Sequence, residues 1–370
     1  MAGNSSPSVV ETPVRPGVWE VASGFDALYM SGRVVVPEAV IEGLQSSREV
    51  AEEAEGPVGI EFGGVDFDIL PRGLRMHKYR LEHPLGVVAI SPSEKLPPVL
   101  IQPRAEFLHR VGPEGVVRFF RTVIEREMGA VKLCASRLDL YVDVQGWDLS
   151  VDERRRFVSH ARNVVGREKS DLFNGLEFGA RGAKTIRLRI YDKTIEIAAK
   201  GGSYVEQTWN DDYDPSVPVL RVEFEVGRTP LTQYGIDTAQ EAIDAAPGLW
   251  RGLSERWLTY RVETADSNKS RWPIAPEWIV VQQAALGNNA IGLDRMIEDH
   301  ALADLKWLRP RLTGCAARVT AIKGGRSIAD AVNLVAEELH KYEVETGRSF
   351  DSRVAEKLGE RSFTIPESLQ

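Results

Sequence analysis

The chain has 370 residues, with 46 Lys and Arg against 54 Asp and Glu, and a formal net charge of −8. At 43% hydrophobic and 27% charged residues it can bury a large core without staples. Its two cysteines, Cys134 and Cys315, exclude a disulfide framework and fit a reducing, cytoplasmic compartment, and no apolar run approaches the roughly 20 residues that span a bilayer.

The opening MAGNSSPSVVETPVRPG lacks an apolar signal core, so residues 1–20 read as a disordered tail. Residues 38–55 (EAVIEGLQSSREVAEEAE) have the periodicity of an acidic amphipathic helix with Val40, Ile41 and Leu44 inward. Strand-like VGIEF, VDFDIL, LGVVAIS and VLIQPRAEFL follow, punctuated by Gly and Pro. A second helix is predicted from Pro113 to about Met128, with Gly129 past its end and Val117, Phe120 and Ile124 as its buried stripe.

RLDLYVDVQG at 137–146 alternates with period two. Ser150 and Glu153 have capping-box spacing, and Asp237 with Gln240 is expected to cap a later helix in the same way. Between them lie the strands LEFGARG, TIRLRIYDKTIEI and VLRVEFEVG. From about 254 the texture becomes helical, after which SNKSRWPIAPEW forms a Pro/Trp-rich joint. Leu302, Leu305, Leu308 and Leu312 share helical spacing, as do Ile328, Ala331, Val332, Val335 and Leu339, with a turn signal at GGRS 324–327. This region has a helix-turn-helix flavour.

The acidic balance argues against nucleic acid only as a global number. Residues 1–70 carry a net of −9, the remaining 300 a net of +1, and residues 151–200 a net of +5.

One pattern is used twice. FDALYMSG at 25–32 echoes LDLYVDVQG at 138–146, VDFDILPRGLRMHKYRLEH at 65–83 echoes LEFGARGAKTIRLRIYDK at 176–193, and VLIQPRAEFLHRVG at 99–112 echoes VLRVEFEVGRTPLTQYG at 219–235. The offsets are 113 for Asp26 to Asp139, 112 for Tyr79 to Tyr191 and 117 for Phe107 to Phe224. The expected fold is α+β. Two related halves, about 21–130 and 131–253, each carry an antiparallel sheet with packed helices, and a helical region occupies 254–370.

Side chains alternate across a strand, so each face can be read directly. Arg187, Arg189, Tyr191 and Lys193 share one face of their strand; Arg137, Asp139, Tyr141 and Asp143 share one face of a second; Arg221, Glu223 and Glu225 share one face of a third. If the strands share a sheet, these faces coincide. The plain reading is a solvated face with charges paired across strands. The density of Arg and carboxylate exceeds what solubility needs, however, and the composition suits one chemistry. Clustered carboxylates bind Mg²⁺ or Mn²⁺, which polarises a phosphodiester. A tyrosine is a candidate covalent nucleophile, but its pKa near 10 demands activation. Flanking Lys193 and Arg189 are expected to favour the phenolate and to hold the phosphate.

IRLRIYDKTIE, with SRLDLYVDV upstream and VLRVEFEV downstream, resembles the replication initiation factor family of plasmid and phage rolling-circle initiators, which also includes relaxases of conjugative elements. The resemblance runs over roughly 25–290. It implies a cytoplasmic, site-specific single-strand nicking and joining enzyme whose tyrosine becomes linked to a 5′ phosphate. By motif, Tyr191 matches the nucleophile, Lys193 the lysine two residues on, Asp139 the acid of the R-x-D strand and Glu223 that of the R-x-E strand. Asp143 and Glu196 are further metal or base candidates, and Asp26 joins if the halves pack pseudo-symmetrically. Arg187, Arg189, Arg221, Arg181 and Lys184 are the expected DNA contacts. The implied cofactor is Mg²⁺ or Mn²⁺. The implied partners are origin or nick-site DNA, single-stranded or hairpin, a host helicase and a second copy, with no membrane. The alternatives are a conjugative relaxase and a non-catalytic DNA-binding regulator of the same fold.

The six histidines never flank a single apolar residue as in better-known nicking enzymes, so metal binding has to rest on carboxylates. No zinc spacing, phosphate-cradling loop or nucleophile elbow occurs. Tyr141 ranks below Tyr191 because it lacks adjacent Arg and Lys, and Tyr79 reads as structural or DNA-contacting. RGAK at 181–184 reads as a hairpin turn and RRR at 154–156 as a solvated helix face. Trp250, Trp257, Trp272, Trp278 and Trp307 read as core anchors, and both cysteines as small buried residues.

Overall fold

The computed structural model describes residues 17–169, 172–286, 309 and 312–361. The expectations for the tail at 1–16, for Leu302, Leu305 and Leu308 and for Trp307 lie outside these residues. The chain divides into two units, 1–296 and 297–370.

In chain order the strands are β1 (Trp19–Arg33), β2 (Val58–Phe62), β3 (Val65–Leu70), β4 (Tyr79–His83), β5 (Gly86–Ile90), β6 (Val99–Pro103), β7 (Lys132–Gln145), β8 (Phe157–Ser159), β9 (Val164–Lys169), β10 (Leu172–Phe178), β11 (Ile186–Asp192), β12 (Val219–Gly227) and β13 (Leu258–Tyr260). The helices of the first unit are α1 (Glu38–Glu53), α2 (Ala105–Met128), α3 (Lys193–Lys200), α4 (Arg228–Gln233), α5 (Ala239–Gly252) and α6 (Pro276–Gln282). The fold is α+β. Eleven strands form one antiparallel sheet in the order β2-β3-β4-β5-β6-β1-β7-β12-β11-β10-β9, while β8 and β13 pair separately.

The two halves meet at the centre of this sheet. In each, a long strand opens the unit, a meander follows, the last strand returns beside the first, and a helix closes it. Thus β6 lies beside β1, β12 beside β7, and β1 pairs with β7 from Trp19 opposite Gln145 to Arg33 opposite Lys132. The echo of Asp26 and Asp139 therefore joins equivalent strands. The other echoes do not mark equivalent positions. By place in the sheet β5 is the counterpart of β11, so Tyr79 on β4 is not that of Tyr191. Phe107 lies on α2 and Phe224 on β12. The first half's meander has one more strand, which breaks the alignment of sequence with position.

The apolar faces of the strands merge into one core with α1, α2 and α5, in which Leu138, Leu140, Val142 and Phe224 lie fully buried. Phe224 meets Trp250 of α5 edge-on at 5.4 Å. In α2, Val117, Phe120 and Ile124 are buried, as their spacing predicts. The helix starts earlier than expected, because AEFLHRV is helical too. Gly112, at φ 73° and ψ 168°, kinks it ahead of Pro113, a conformation that favours glycine. Helix α1 buries Leu44 and packs on β2, β3 and β4, leaving β5, β6, β1 and β7 between it and β12 in the sheet.

Two capping expectations resolve differently. Ser150 and Glu153 form their box on a 3₁₀ turn, Val151–Arg156. The later cap is Thr238 with Glu241, one residue beyond the expected pair. Asp237 is held instead by Lys132 at 2.7 Å and by Arg228. Among the RRR residues, Arg156 is not solvated: it lies 4.2 Å from the Tyr260 ring centroid and donates to the carbonyl of Arg261. Trp278 is fully buried in the first unit and donates to the carbonyl of Ser254 at 2.8 Å. Residues 258–286 thus pack with the sheet, within the unit that spans 1–296.

In the second unit, residues 312–322 are helical, GGRS forms a turn, and helices Ile328–Thr346 and Phe350–Arg361 follow. Ser327 and Asp330 form a capping box, and Gly347 ends the first of these helices in the left-handed region. Cys315 is exposed, unlike Cys134, which corrects the expectation of two buried thiols. No helix among the described residues is long and apolar enough to cross a membrane.

Candidate active site

Strands β7, β12 and β11 are neighbours, so their polar faces coincide. Tyr191 stands opposite Arg221 and Arg221 opposite Asp143; Arg189, Glu223 and Tyr141 form the next row; Arg187, Glu225 and Asp139 the third. This face is not solvated. Every residue of β12 is buried. Helix α3 and the segment after it fold back over the face, where Ile197, Val205 and Trp209 pack on Val21 and Val219. That small apolar lid takes a charged sheet face out of water, so each charge on it needs a partner.

The partners are specific. Arg221 is fully buried. Its Nε and Nη2 donate to the two Asp143 oxygens at 2.7 Å each, its Nη1 donates to Asp26 Oδ1 at 2.5 Å, and its guanidinium lies 3.8 Å from the Tyr141 ring centroid. The indole of Trp209 also donates to Asp143 Oδ2, at 2.9 Å. Both Asp143 oxygens are therefore occupied, and the structure does not bring Asp143 into the carboxylate group described below. Arg221 is correspondingly out of reach of DNA. Arg187 is buried between Glu177 at 2.6 Å and Glu225 at 3.5 Å, so it too is a structural cation rather than a DNA contact. Arg181 and Lys184 lie exposed on the β10–β11 turn, and Arg189 is partly exposed.

Asp26, Asp139 and Glu223 come together, each with one carboxylate oxygen within 4.8 Å of the others. A bulge in β1 between Phe25 and Ala27 aims Asp26 at this point. Burial pushes Asp139 up to about 8 against the pull of Arg137, whose Nε donates to it at 2.8 Å, and Glu223 and Glu225 add repulsion. Burial opposes the charged form of Asp26 as well, but His109, Arg221 and Lys193 hold its carboxyl well below the usual range. Five carboxylates (Asp26, Asp139, Asp143, Glu223 and Glu225) face four guanidiniums (Arg137, Arg187, Arg189 and Arg221). Burial, with the repulsion of Glu223 and Glu225, disfavours the charge on Asp139. A divalent cation would offset the surplus negative charge, so Asp26, Asp139 and Glu223 fit an oxygen-ligated metal.

Tyr191 sits beside them. Its hydroxyl donates to Glu223 Oε2 at 2.9 Å, while Glu223 Oε1 accepts from Arg189. It opens on a cavity of about 300 Å³ that Asp26, Lys193, Glu196 and Tyr204 also line. A larger hollow, about 720 Å³, lies among Trp147, Phe173, Asp192 and Leu220 and includes neither Tyr191 nor the carboxylates. Burial and the Glu223 charge raise the Tyr191 phenol well above its ordinary value. This corrects the expectation that flanking cations favour the phenolate. Lys193 Nζ donates to Glu196 at 2.6 Å, and Arg189 is bound to Glu223. The proton acceptor within reach is Glu223. A Glu223→Gln variant should lower any chemistry at Tyr191 by about 10²–10⁴-fold, read as the rate of covalent adduct formation. An unchanged rate would remove Glu223 as the acceptor.

Tyr141 is buried beneath Arg221, and burial pushes it up to about 12, so it is a poor substitute nucleophile. Tyr79 is buried and donates to Gln45 of α1 at 3.1 Å, a structural role. Sequence reasoning missed His109, whose Nε2 lies 3.7 Å from Asp26 Oδ1. It also missed the covering role of Val205 and Trp209. No spacing signal marks a single histidine on a helix, and the cover lies in a stretch that reads as loop.

No family model matches this chain, and no curated protein matches it either. Among solved structures it is similar to a rolling circle replication initiator protein from Geobacillus stearothermophilus, at 17% identity and a TM-score of 0.43 over 74% of this chain and all of that one.

Proposed function

We propose that the chain nicks and rejoins single-stranded DNA at a specific site, with Tyr191 as the nucleophile, to initiate rolling-circle replication of a plasmid or phage. The observation that carries this reading is the Tyr191 hydroxyl donating to Glu223 at 2.9 Å beside a group of three carboxylates. A neutral phenol needs a base at hydrogen-bond distance, and Glu223 is one. As the phenol oxygen bonds to phosphorus, its proton passes to Glu223, the bond from phosphorus to the 3′ oxygen breaks, and that oxygen takes a proton from water. The DNA is left with a free 3′ hydroxyl and a 5′ phosphotyrosine, which keeps the bond energy for rejoining. Lys193 and Arg189 line the same cavity and place positive charge where the phosphate would sit. Asp26, Asp139 and Glu223 would hold Mg²⁺ or Mn²⁺. When bound, the ion polarises the phosphodiester and stabilises charge in the transition state. Glu223 can serve both partners because a carboxylate offers about four lone-pair sites.

The test is a supercoiled plasmid bearing the DNA that flanks this gene. Purified protein with Mg²⁺ or Mn²⁺ should convert it to nicked and relaxed forms. Binding without any nicking would favour the non-catalytic regulator. In excess EDTA the nicking should stop, and persistent activity would remove the carboxylate–metal part of the reading. A conjugative relaxase would share this chemistry and differ in the DNA that it selects.

A further inference from the structure

One edge of the large sheet carries cations that the nicking chemistry does not use. β9 is the last strand in the order, so one side of it has no strand neighbour. Three segments meet there. The 3₁₀ turn Val151–Arg156 packs on β9 and β10, so closely that a Cβ on Gly166 would come within 2.4 Å of Val151. The Gly179 amide donates to the Asn163 carbonyl at 2.8 Å, which ties the start of β9 to the β10–β11 turn. Arg154 from the 3₁₀ turn, Arg162 from the start of β9, and Arg181 and Lys184 from the β10–β11 turn are exposed, and among the described residues none of the four forms an ion pair. Glu177 is already paired with Arg187 and Arg167, and Glu263 with Arg155. Asp152, also exposed, offsets one of the four cations.

Guarding an edge strand against pairing takes charge of either sign. An excess of unpaired cations points instead to a polyanion. Among the described residues of 151–186, no Phe, Tyr or Trp is exposed, so the edge lacks the platform on which unpaired bases stack. It offers charge alone, the means by which a protein grips the phosphates of a duplex whatever the sequence. Ile186, beside the turn, precedes Tyr191 on β11 by about 17 Å at the rise of a strand. The edge is thus separate from the cavity at Tyr191. We infer that this edge holds the phosphate backbone of duplex DNA. The inference goes beyond the proposed nicking activity, whose substrate is unpaired at the bond that is cut.

The test uses the full chain and two fluorescein-labelled probes, a duplex of about 20 base pairs of arbitrary sequence and an oligothymidylate single strand of the same length. Binding is read by anisotropy from about 50 to about 300 mM KCl. Each lost phosphate contact flattens the slope of log K against log salt by about 0.9. Arg154→Gln combined with Arg162→Gln should therefore flatten the duplex slope by about 1.8 and weaken duplex binding at least about tenfold near 100 mM KCl, while single-strand binding changes by less than about threefold. Arg72→Gln combined with Lys78→Gln removes the same charge from exposed positions between β3 and β4 and should leave the duplex slope as it is. No duplex binding by the wild type, an unchanged slope in the first variant, an equal loss on both probes, or an equal flattening in the second variant would each overturn the duplex grip. The substituted side chains are exposed, so a wild-type urea midpoint is expected and checks the fold. Adduct formation by the wild type on a single strand is scored separately: its absence removes the Tyr191 reading, and the salt slopes still decide the edge.

Discussion

A Tyr191→Phe protein is expected to bind its DNA target and to form no covalent adduct with it on a denaturing gel. The change removes one oxygen. That oxygen is the nucleophile of the proposed step and the donor of the 2.9 Å hydrogen bond to Glu223. Loss of a covalent nucleophile costs at least about 10³-fold in rate, because the residual chemistry has to come from binding and charge stabilisation alone. Affinity should change little, since Arg189, Lys193 and the exposed Arg181 and Lys184 are untouched. The fold pays a smaller cost of about 1–3 kcal/mol for leaving a buried carboxylate oxygen without its donor. That loss is visible as a lowered urea midpoint and does not prevent the gel assay. Full adduct formation by the variant would eliminate Tyr191 and reopen the choice of nucleophile.

Arg221→Ala should be the most destabilising single change at this face, by about 3–5 kcal/mol in urea unfolding. Asp143 is 0% exposed and relies on two 2.7 Å bonds from Arg221, so the alanine leaves a buried charge with only the Trp209 indole for support. Asp26 loses its closest cation at the same time. Lysine is not a remedy, because a single ammonium cannot span both carboxylates as the planar guanidinium does. The double change Arg221→Met with Asp143→Leu should recover only part of the loss, since it removes the buried Asp143 charge but still leaves Asp26 without Arg221 and the Trp209 indole without its acceptor. If Arg221→Ala costs less than about 1 kcal/mol, the buried pairing does not hold the segment over the sheet.

Alternation made the face legible. Arg187, Arg189 and Tyr191, with Asp139, Tyr141 and Asp143 and with Arg221, Glu223 and Glu225, were separable by period two, and the three strands are indeed neighbours in one sheet. What alternation could not supply was depth. A polar face on an antiparallel sheet ordinarily meets water, and nothing in the local pattern announces that residues 193–217 cover it. Arg187, Arg221 and Asp143 therefore read as available when they are mutually neutralised, and the environment of Tyr191 read as activating when burial makes it the reverse. Asp26 was reachable only through the internal echo, which located β1 opposite β7. The echo failed further out, where the first half has an additional strand. His109 was invisible because a single residue on a kinked helix leaves no periodic trace.

The bulged pairing of β1 with β7 has a consequence for how the chain can misassemble. Side chains change face with every residue, so a one-residue slip along this seam would turn Asp26 away from Asp139 and Glu223 without removing a single backbone hydrogen-bonding group. A chain folded in the slipped state could be nearly as compact as the native one, yet have no assembled site. The seam thus works as an interlock: Tyr191 and Glu223 lie wholly in the second half, but Asp26 meets Asp139 and Glu223 only when both halves are docked in one alignment. Damage at the junction should therefore produce a mixture of fully competent and inert molecules rather than a uniform population of slower ones.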